Sequence, residues 1–275
     1  MSSDSILVVF DPDNDAQPAL VRAARLVRSS VNANFMIHVY SCIYSTIPKS
    51  KKRAARKAEL IAAQKEIVKN VVSELIGSDV PVTIEVDWGK DWHKAVVRAA
   101  FRIGAIIVFK SSYTRSASRR LLKNSTERTL LRKCACPVLL VKSNREESAD
   151  ERIVLAAVQF RGEPGAYDDL NHRIVDFCQR LYAADTVKVH FVNAYTDLSD
   201  RPDKGQLVRA CGVPSDQAHI KLGESDDVIV ETAKELGADL VVIGNSARDG
   251  FAAVIKNNTA EKILDRLDCN LLAMP

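Results

Sequence analysis

Short apolar runs alternate along this chain with stretches in which apolar residues recur at helical spacing. Ile6–Phe10 is a short apolar run ended by Asp11-Pro12. Pro18–Val27 sets Ala19, Leu20, Ala23, Ala24 and Leu26 on one helical face. Phe35–Tyr44 reads as a strand, and Lys51–Ile76 as a long helix with Leu60, Ile61, Ile67, Val68, Val71, Val72 and Leu75 on one side. A strand over Val82–Val86, a helix over Ala95–Ile103, a strand over Ala105–Phe109, a helix over Thr126–Lys133 and a strand over Val138–Val141 follow. Apolar strands without alternation imply a parallel sheet covered on both faces by helices.

Residues 143–151 are polar and charged and read as a linker between a first domain, 1–142, and a second, 152–275. The pattern then restarts. Strands are expected over Ile153–Val158, Val187–Tyr195, His219–Leu222, Asp239–Ile243 and Asn270–Ala273, with helices near Leu170–Tyr182, Val228–Leu236 and Thr259–Leu267. The restart is an internal repeat: a shift of 133 residues lays Gly104–Val141 on Gly237–Met274 without a gap, matching Gly104-Ala105 to Gly237-Ala238 and Cys136 to Cys269. The second half has fewer residues between its second and third strands, so its second helix must be short or irregular.

Composition adds a bound and an asymmetry. The 275 residues are 47% hydrophobic and 27% charged, which excludes a disordered tail, a collagen and a coiled coil. Net charge is +4, yet residues 1–142 hold 24 Lys/Arg against 12 Asp/Glu while residues 143–275 hold 15 against 23. No window is apolar enough for a membrane span, so no membrane partner is expected. The start, Met1-Ser2-Ser3-Asp4-Ser5, lacks the basic region of a signal peptide. Six cysteines at scattered spacing match neither a disulfide framework nor a zinc site, and a reduced cytoplasmic protein is expected.

Two β/α repeats, each closing with a loop, a helix and a Cys-x-x-Leu strand, resemble the tandem universal stress proteins. Val8-Val9-Phe10-Asp11-Pro12, Asp15-x-Gln17-Pro18-Ala19-Leu20 and Leu131-Arg132-Lys133-Cys134 are similar to the E-type tandem members. The resemblance implies α/β architecture: two doubly wound, flavodoxin-like domains, each an open five-stranded parallel sheet of order 3-2-1-4-5. It also implies that the last strands of the two halves pair, so that the chain mimics the dimer of single-domain members; a homodimer of the whole chain stays open. ATP-binding members carry G-x-x-G-x9-G-[ST] before the fourth helix, where glycines let the backbone approach phosphates. In the second half the matching positions are Gly244, Ala247, Asn257 and Asn258, flanked by Asn245 and Thr259. In the first half they are Ser111, Thr114, Asn124 and Ser125. The family's aspartate at the end of strand one is matched by Asp11 and replaced by Gln159 in the second half. Each half keeps a different fragment of the signature, which weighs against ATP as a cofactor.

Other signals are weaker. Asp11-Pro12-Asp13-Asn14-Asp15 opens like a calcium loop, but Ala16 and Arg22 stand at the turn and final ligand positions, so an N-cap cluster is expected and no metal. Lys49–Lys57 carries six cations at a helix start, where they oppose the dipole, and no aromatic residue interleaves them, so a solvated face is expected and nucleic acid is not an expected partner. Arg115 and Arg119, with Arg120 and Lys123, lie in the loop that would cover the first crevice and could hold an anionic ligand where the glycines are lost. Trp88 and Trp92 read as core cover, His38 and His190 as buried structural histidines, Cys136 and Cys269 as small buried residues, and Asp226-Asp227 as a helix cap.

The expected function is that of a non-enzymatic stress-response protein, binding a small ligand or a protein partner in the crevices at the C-terminal strand ends. Two alternatives stand beside it: an ATP-binding second domain with weak ATPase activity, and a basic first domain that binds nucleic acid or another polyanion.

Overall fold

The structure is a computed structural model that describes residues 3–30, 34–48, 52–113, 125–142, 152–160, 168–182, 187–245 and 259–275. The chain forms two compact units, Met1–Asn144 and Arg145–Pro275.

The first unit contains β1 (Asp4–Val9), α1 (Pro18–Ser29), β2 (Phe35–Ile43), α2 (Arg53–Ile76), β3 (Val82–Trp88), α3 (Trp92–Arg102), β4 (Ile107–Ser112), α4 (Ser125–Lys133) and β5 (Val138–Lys142). Its strands lie in the order β3-β2-β1-β4-β5, and every paired neighbour is parallel. The second unit contains β6 (Arg152–Ala157), α5 (Asp168–Tyr182), β7 (Val187–Tyr195), α6 (Lys204–Cys211), β8 (Ala218–Leu222), α7 (Ser225–Leu236), β9 (Leu240–Gly244), α8 (Thr259–Ile263) and β10 (Asn270–Met274). Its order, β8-β7-β6-β9-β10, is the same order under the repeat, again with parallel neighbours.

The repeat holds to the level of single hydrogen bonds. Gly104 and Gly237 both take left-handed backbone, with φ of +60° and +64°, and end α3 and α7. Ala105 N donates to Ala100 O at 2.9 Å, and Ala238 N to Ala233 O at 2.9 Å. These bonds close the helix ends, which is why β4 begins at Ile107 and β9 at Leu240 rather than at Ala105 and Asp239. β4 also runs on to Ser112 through the polar residues Lys110 and Ser111.

Two expected helices differ in detail, and the expected short one is found. α2 buries only Val68, Val72 and Ile76, and Ile67 and Leu75 are exposed. An i, i+4, i+8 line suffices because α2 lies mainly against the edge strand β3. The short second helix of the second unit is α6, eight residues ended by left-handed Gly212. α8 stops at Ile263, yet Leu264 and Leu267 stay buried through looser turns. Among the described residues, no helix is long and apolar enough to cross a membrane.

Candidate functional site

Doubly wound sheets bind ligands where neighbouring connections leave the carboxyl ends of the strands in opposite directions. In the first unit that point lies beside the ends of β1 and β4. Phe10 is buried there and Asp11 follows it. Gln17, the residue before α1, clasps this turn: Asp11 N donates to Gln17 Oε1 at 3.1 Å, and Gln17 Nε2 donates to Asp11 O at 2.7 Å. Gln17 Nε2 also reaches Asn14 O at 2.6 Å.

The neighbouring strand end is polar and buried. Lys110 is only 3% exposed. Its ammonium donates to Ser111 O at 2.8 Å and lies 3.7 Å from Asp11 Oδ2. It also sits 5.8 Å from the ring centroid of Tyr113, whose hydroxyl donates to Ala16 O at 2.6 Å. The Ser111 hydroxyl accepts from Ala19 N at 3.1 Å. A side chain from β4 thus supplies the cap that α1 lacks locally, since Pro18 has no N–H and Gln17 makes no side-chain cap. The first unit therefore carries a buried cation and a facing carboxylate at its strand ends.

The second unit keeps the clasp and loses the charge. Gln159 N donates to Asn171 Oδ1 at 3.1 Å, and Asn171 Nδ2 donates to Gln159 O at 2.8 Å. Asn171 lies inside α5, whereas Gln17 precedes α1, so the same bonds come from different helical positions. Ile243 stands at the repeat position of Lys110, and Gly244 at that of Ser111. A Cβ on Gly244 would lie 2.4 Å from Leu170 Cδ2 and 2.7 Å from its Cγ. Gly244 thus lets α5 pack closely against β9. Asn245 is buried, and its N–H donates to Met274 O at 2.6 Å.

Of the residues expected at the sites, Asp11 and Ser111 come together at the first strand ends, and Gly244 and Asn245 lie at the second. Ser125 and Thr259 open α4 and α8. Ala247, Asn257, Asn258, Asn124, Thr114, Arg115 and Arg119 lie outside the described residues.

Several expectations are corrected. Asp11, Asp13 and Asp15 do not cap α1, since Gln17 occupies the N-cap position and Asp11 Oδ1 accepts instead from Asp13 N at 3.1 Å. Asp226 and Asp227 lie in the first turn of α7 without capping it. They pair with Lys262 at 3.2 Å and with Arg266 at 3.2 and 2.7 Å. His190 is buried but His38 is half-buried, with Nε2 at 2.9 Å from Glu85. Cys269 is buried, whereas Cys136 is half-buried with its sulfur 3.6 Å from that of Cys134. Trp88 and Trp92 are half-buried and stand outside the core.

Sequence reasoning passed over Lys110, Gln17, Leu170 and Asn171. A lysine directly after the apolar run that ends at Phe109 is a usable signal for Lys110. A second-unit groove of about 650 Å³, lined by Arg201, Asp203, Lys204, His219 and Lys221 among others, had no sequence signal at all.

Comparison with known proteins agrees with this architecture. The model of the universal stress protein family matches residues 3–142 and 181–275. The chain is 28% identical to the universal stress protein E homolog of Haemophilus influenzae, covering 100% of this chain and 98% of that one. It is 27% identical to universal stress protein E of Escherichia coli K12, covering 98% and 93%. Among solved structures, a functionally unknown protein of Pseudomonas aeruginosa PAO1 superposes with a TM-score of 0.69 at 25% identity, over 99% of this chain and 92% of that one. A universal stress protein of Archaeoglobus fulgidus shares the fold, with a TM-score of 0.71 at 15% identity over 98% and 96%. With both halves matched and the same strand order in each, the chain belongs to the universal stress protein family, as a tandem member similar along its whole length to the E-type proteins.

Proposed function

We propose that this protein works by binding rather than by bond chemistry, as a cytoplasmic stress-response protein whose first unit takes a small anionic ligand at the C-terminal edge of its sheet. The buried ammonium of Lys110 at the junction of β1 and β4 carries this reading. A lysine is costly to bury, and the repeat-related position, Ile243, is apolar, so the fold does not itself require a cation there. Arg115 and Arg119 follow in the next loop of the sequence and would add side-chain donors. The family resemblance implies that the strand-one aspartate lies near the adenine of a bound nucleotide; here that carboxylate, Asp11, faces Lys110 instead, which disfavours such a role. Binding would stabilise the folded unit by about 2.7 kcal/mol at a ligand concentration one hundred times Kd, and the occupied crevice would be the signal to a protein partner.

A second reading is a nucleotide with slow hydrolysis around Gly244, Asn245 and Thr259. Gly244 favours it; Leu170, which fills the space in front of that glycine, opposes it.

Thermal shift with inorganic phosphate, pyrophosphate and Mg-ATP separates these readings. The proposal expects pyrophosphate to raise Tm in the parent protein and not in Lys110→Met, with no ATP turnover. It is overturned if no anion shifts Tm, or if the shift survives Lys110→Met. ATP turnover that Gly244→Ala abolishes would establish the second reading instead.

A further inference from the structure

The first turns of α2 are exposed on every side, from Arg53 to Glu59. Lys52, Arg53, Arg56 and Lys57 place four cations there against one carboxylate, Glu59, which pairs with Arg56 at 2.7 Å. Positive charge at a helix N-terminus opposes the helix dipole, so the cluster detracts from local stability. It has no packing role either, since α2 begins to bury side chains fully only at Val68.

No aromatic residue interleaves these cations in sequence, but the fold brings one ring against Lys57 and a second ring against that one. Trp88 ends the edge strand β3, and Tyr44 follows β2. Their ring centroids are 6.0 Å apart with the planes inclined at 55°. Lys57 Nζ lies 6.0 Å from the Trp88 ring centroid, which ties the basic helix to the aromatic pair. Tyr44 is 54% exposed, so a large aromatic ring stands open to solvent against Trp88, the ring that Lys57 faces. The carboxylates that flank Trp88 in sequence are engaged elsewhere: Asp87 accepts from the Tyr40 hydroxyl at 2.8 Å, and Asp91 pairs with Lys94 at 3.6 Å.

We propose that this surface binds single-stranded nucleic acid, with a base stacked on Tyr44 and the backbone phosphates held by Lys52, Arg53 and Lys57. Cations alone would accept any polyanion. An exposed ring beside them adds a contact that only an unpaired base can use, because duplex bases are already stacked on one another. The surface shares no residue with the Lys110 crevice, so the two proposals fail independently.

The test is fluorescence anisotropy of a labelled 20-nucleotide RNA of mixed sequence, with the parent protein and the exposed-residue variants Tyr44→Ala and Lys52→Ala/Arg53→Ala/Lys57→Ala. The parent should bind with a log–log salt slope of about −2, the value for three phosphate contacts on a single strand. Tyr44→Ala should weaken RNA binding by roughly 5- to 150-fold, the range for loss of one stacked base, while leaving heparin binding unchanged. The triple variant should weaken both and flatten the salt slope. Circular dichroism melting of each variant confirms folding before comparison. The proposal is overturned if RNA does not bind at low salt, if duplex and single strand bind equally with Tyr44→Ala silent, or if phosphatidylglycerol vesicles bind and RNA does not.

Discussion

The ammonium of Lys110 lies 3.7 Å from the carboxylate of Asp11, joining the ends of β4 and β1 by an ion pair that is nearly shut off from solvent. The second unit has Ile243 and Gln159 at these two positions. The halves thus have the same strand order and differ in the chemistry at the carboxyl ends of their strands.

That pair is expected to be worth more to break than to lose. Lys110→Met should destabilise the protein by about 3 kcal/mol, because the Asp11 carboxylate, only 11% exposed, is left without its cation. Adding Asp11→Asn should recover most of the loss. Urea denaturation of both singles and the double gives the coupling; additive losses would show that the two groups do not interact.

Gly244 should tolerate no side chain without cost. A Cβ there meets Leu170 at 2.4 Å, so Gly244→Ala should cost about 1–3 kcal/mol through overpacking. Leu170→Ala in the same chain should relieve much of that cost, again by urea denaturation. This reassigns a glycine that the family resemblance marks for phosphate approach: its effect on stability must be subtracted before any ligand effect is read.

Gly104 and Gly237 offer a matched control. Both hold φ near +60°, and a Cβ on either would meet nothing within 4 Å. Alanine at each should therefore cost only the backbone term, about 1–2 kcal/mol, and nearly the same at both. Melting curves that differ strongly between the two variants would contradict the equivalence of the repeats.

The second unit should lose stability on mild acidification. His190 Nδ1 and His219 Nε2 are 3.0 Å apart, so one ring donates and the other accepts. Burial pushes both imidazoles below their ordinary pKa, with a further push on His190 from His219 and on His219 from Lys221 and Lys204. Asp216 and Glu235 oppose the shift only weakly. The unfolded chain therefore binds more protons than the folded one once pH falls below about 6.5. Stability is retained above that value and declines as pH drops through the lowered folded values. Urea midpoints at pH 7.5, 6.5 and 5.5 should show the decline, and His219→Gln should flatten it; an equal slope in the variant would remove the pair as its cause.

Much of this molecule was legible in its residues. The apolar runs gave the ten strands seen among the described residues within a few residues, and the 133-residue shift paired Gly104 with Gly237, which the fold shows to be left-handed helix ends. Those features are local: a strand buried on both faces must be apolar, and a helix stop needs a residue that accepts positive φ. The family signature likewise pointed to Asp11 and Gly244, since it is written at fixed spacing.

Partnership was not legible, because spacing carries no information about which distant side chains meet. Only the fold set Lys110 against Asp11 and Ser111 over the start of α1, 92 residues away in sequence. It made Gly244 a contact for Leu170 and placed Trp88, with Tyr44 against it, beside a cationic helix that carries no aromatic residue of its own. Burial and charge pairing are properties of three-dimensional neighbourhoods. The sequence determined the two repeats and their strands; the tertiary structure decided what each repeat presents at its edge.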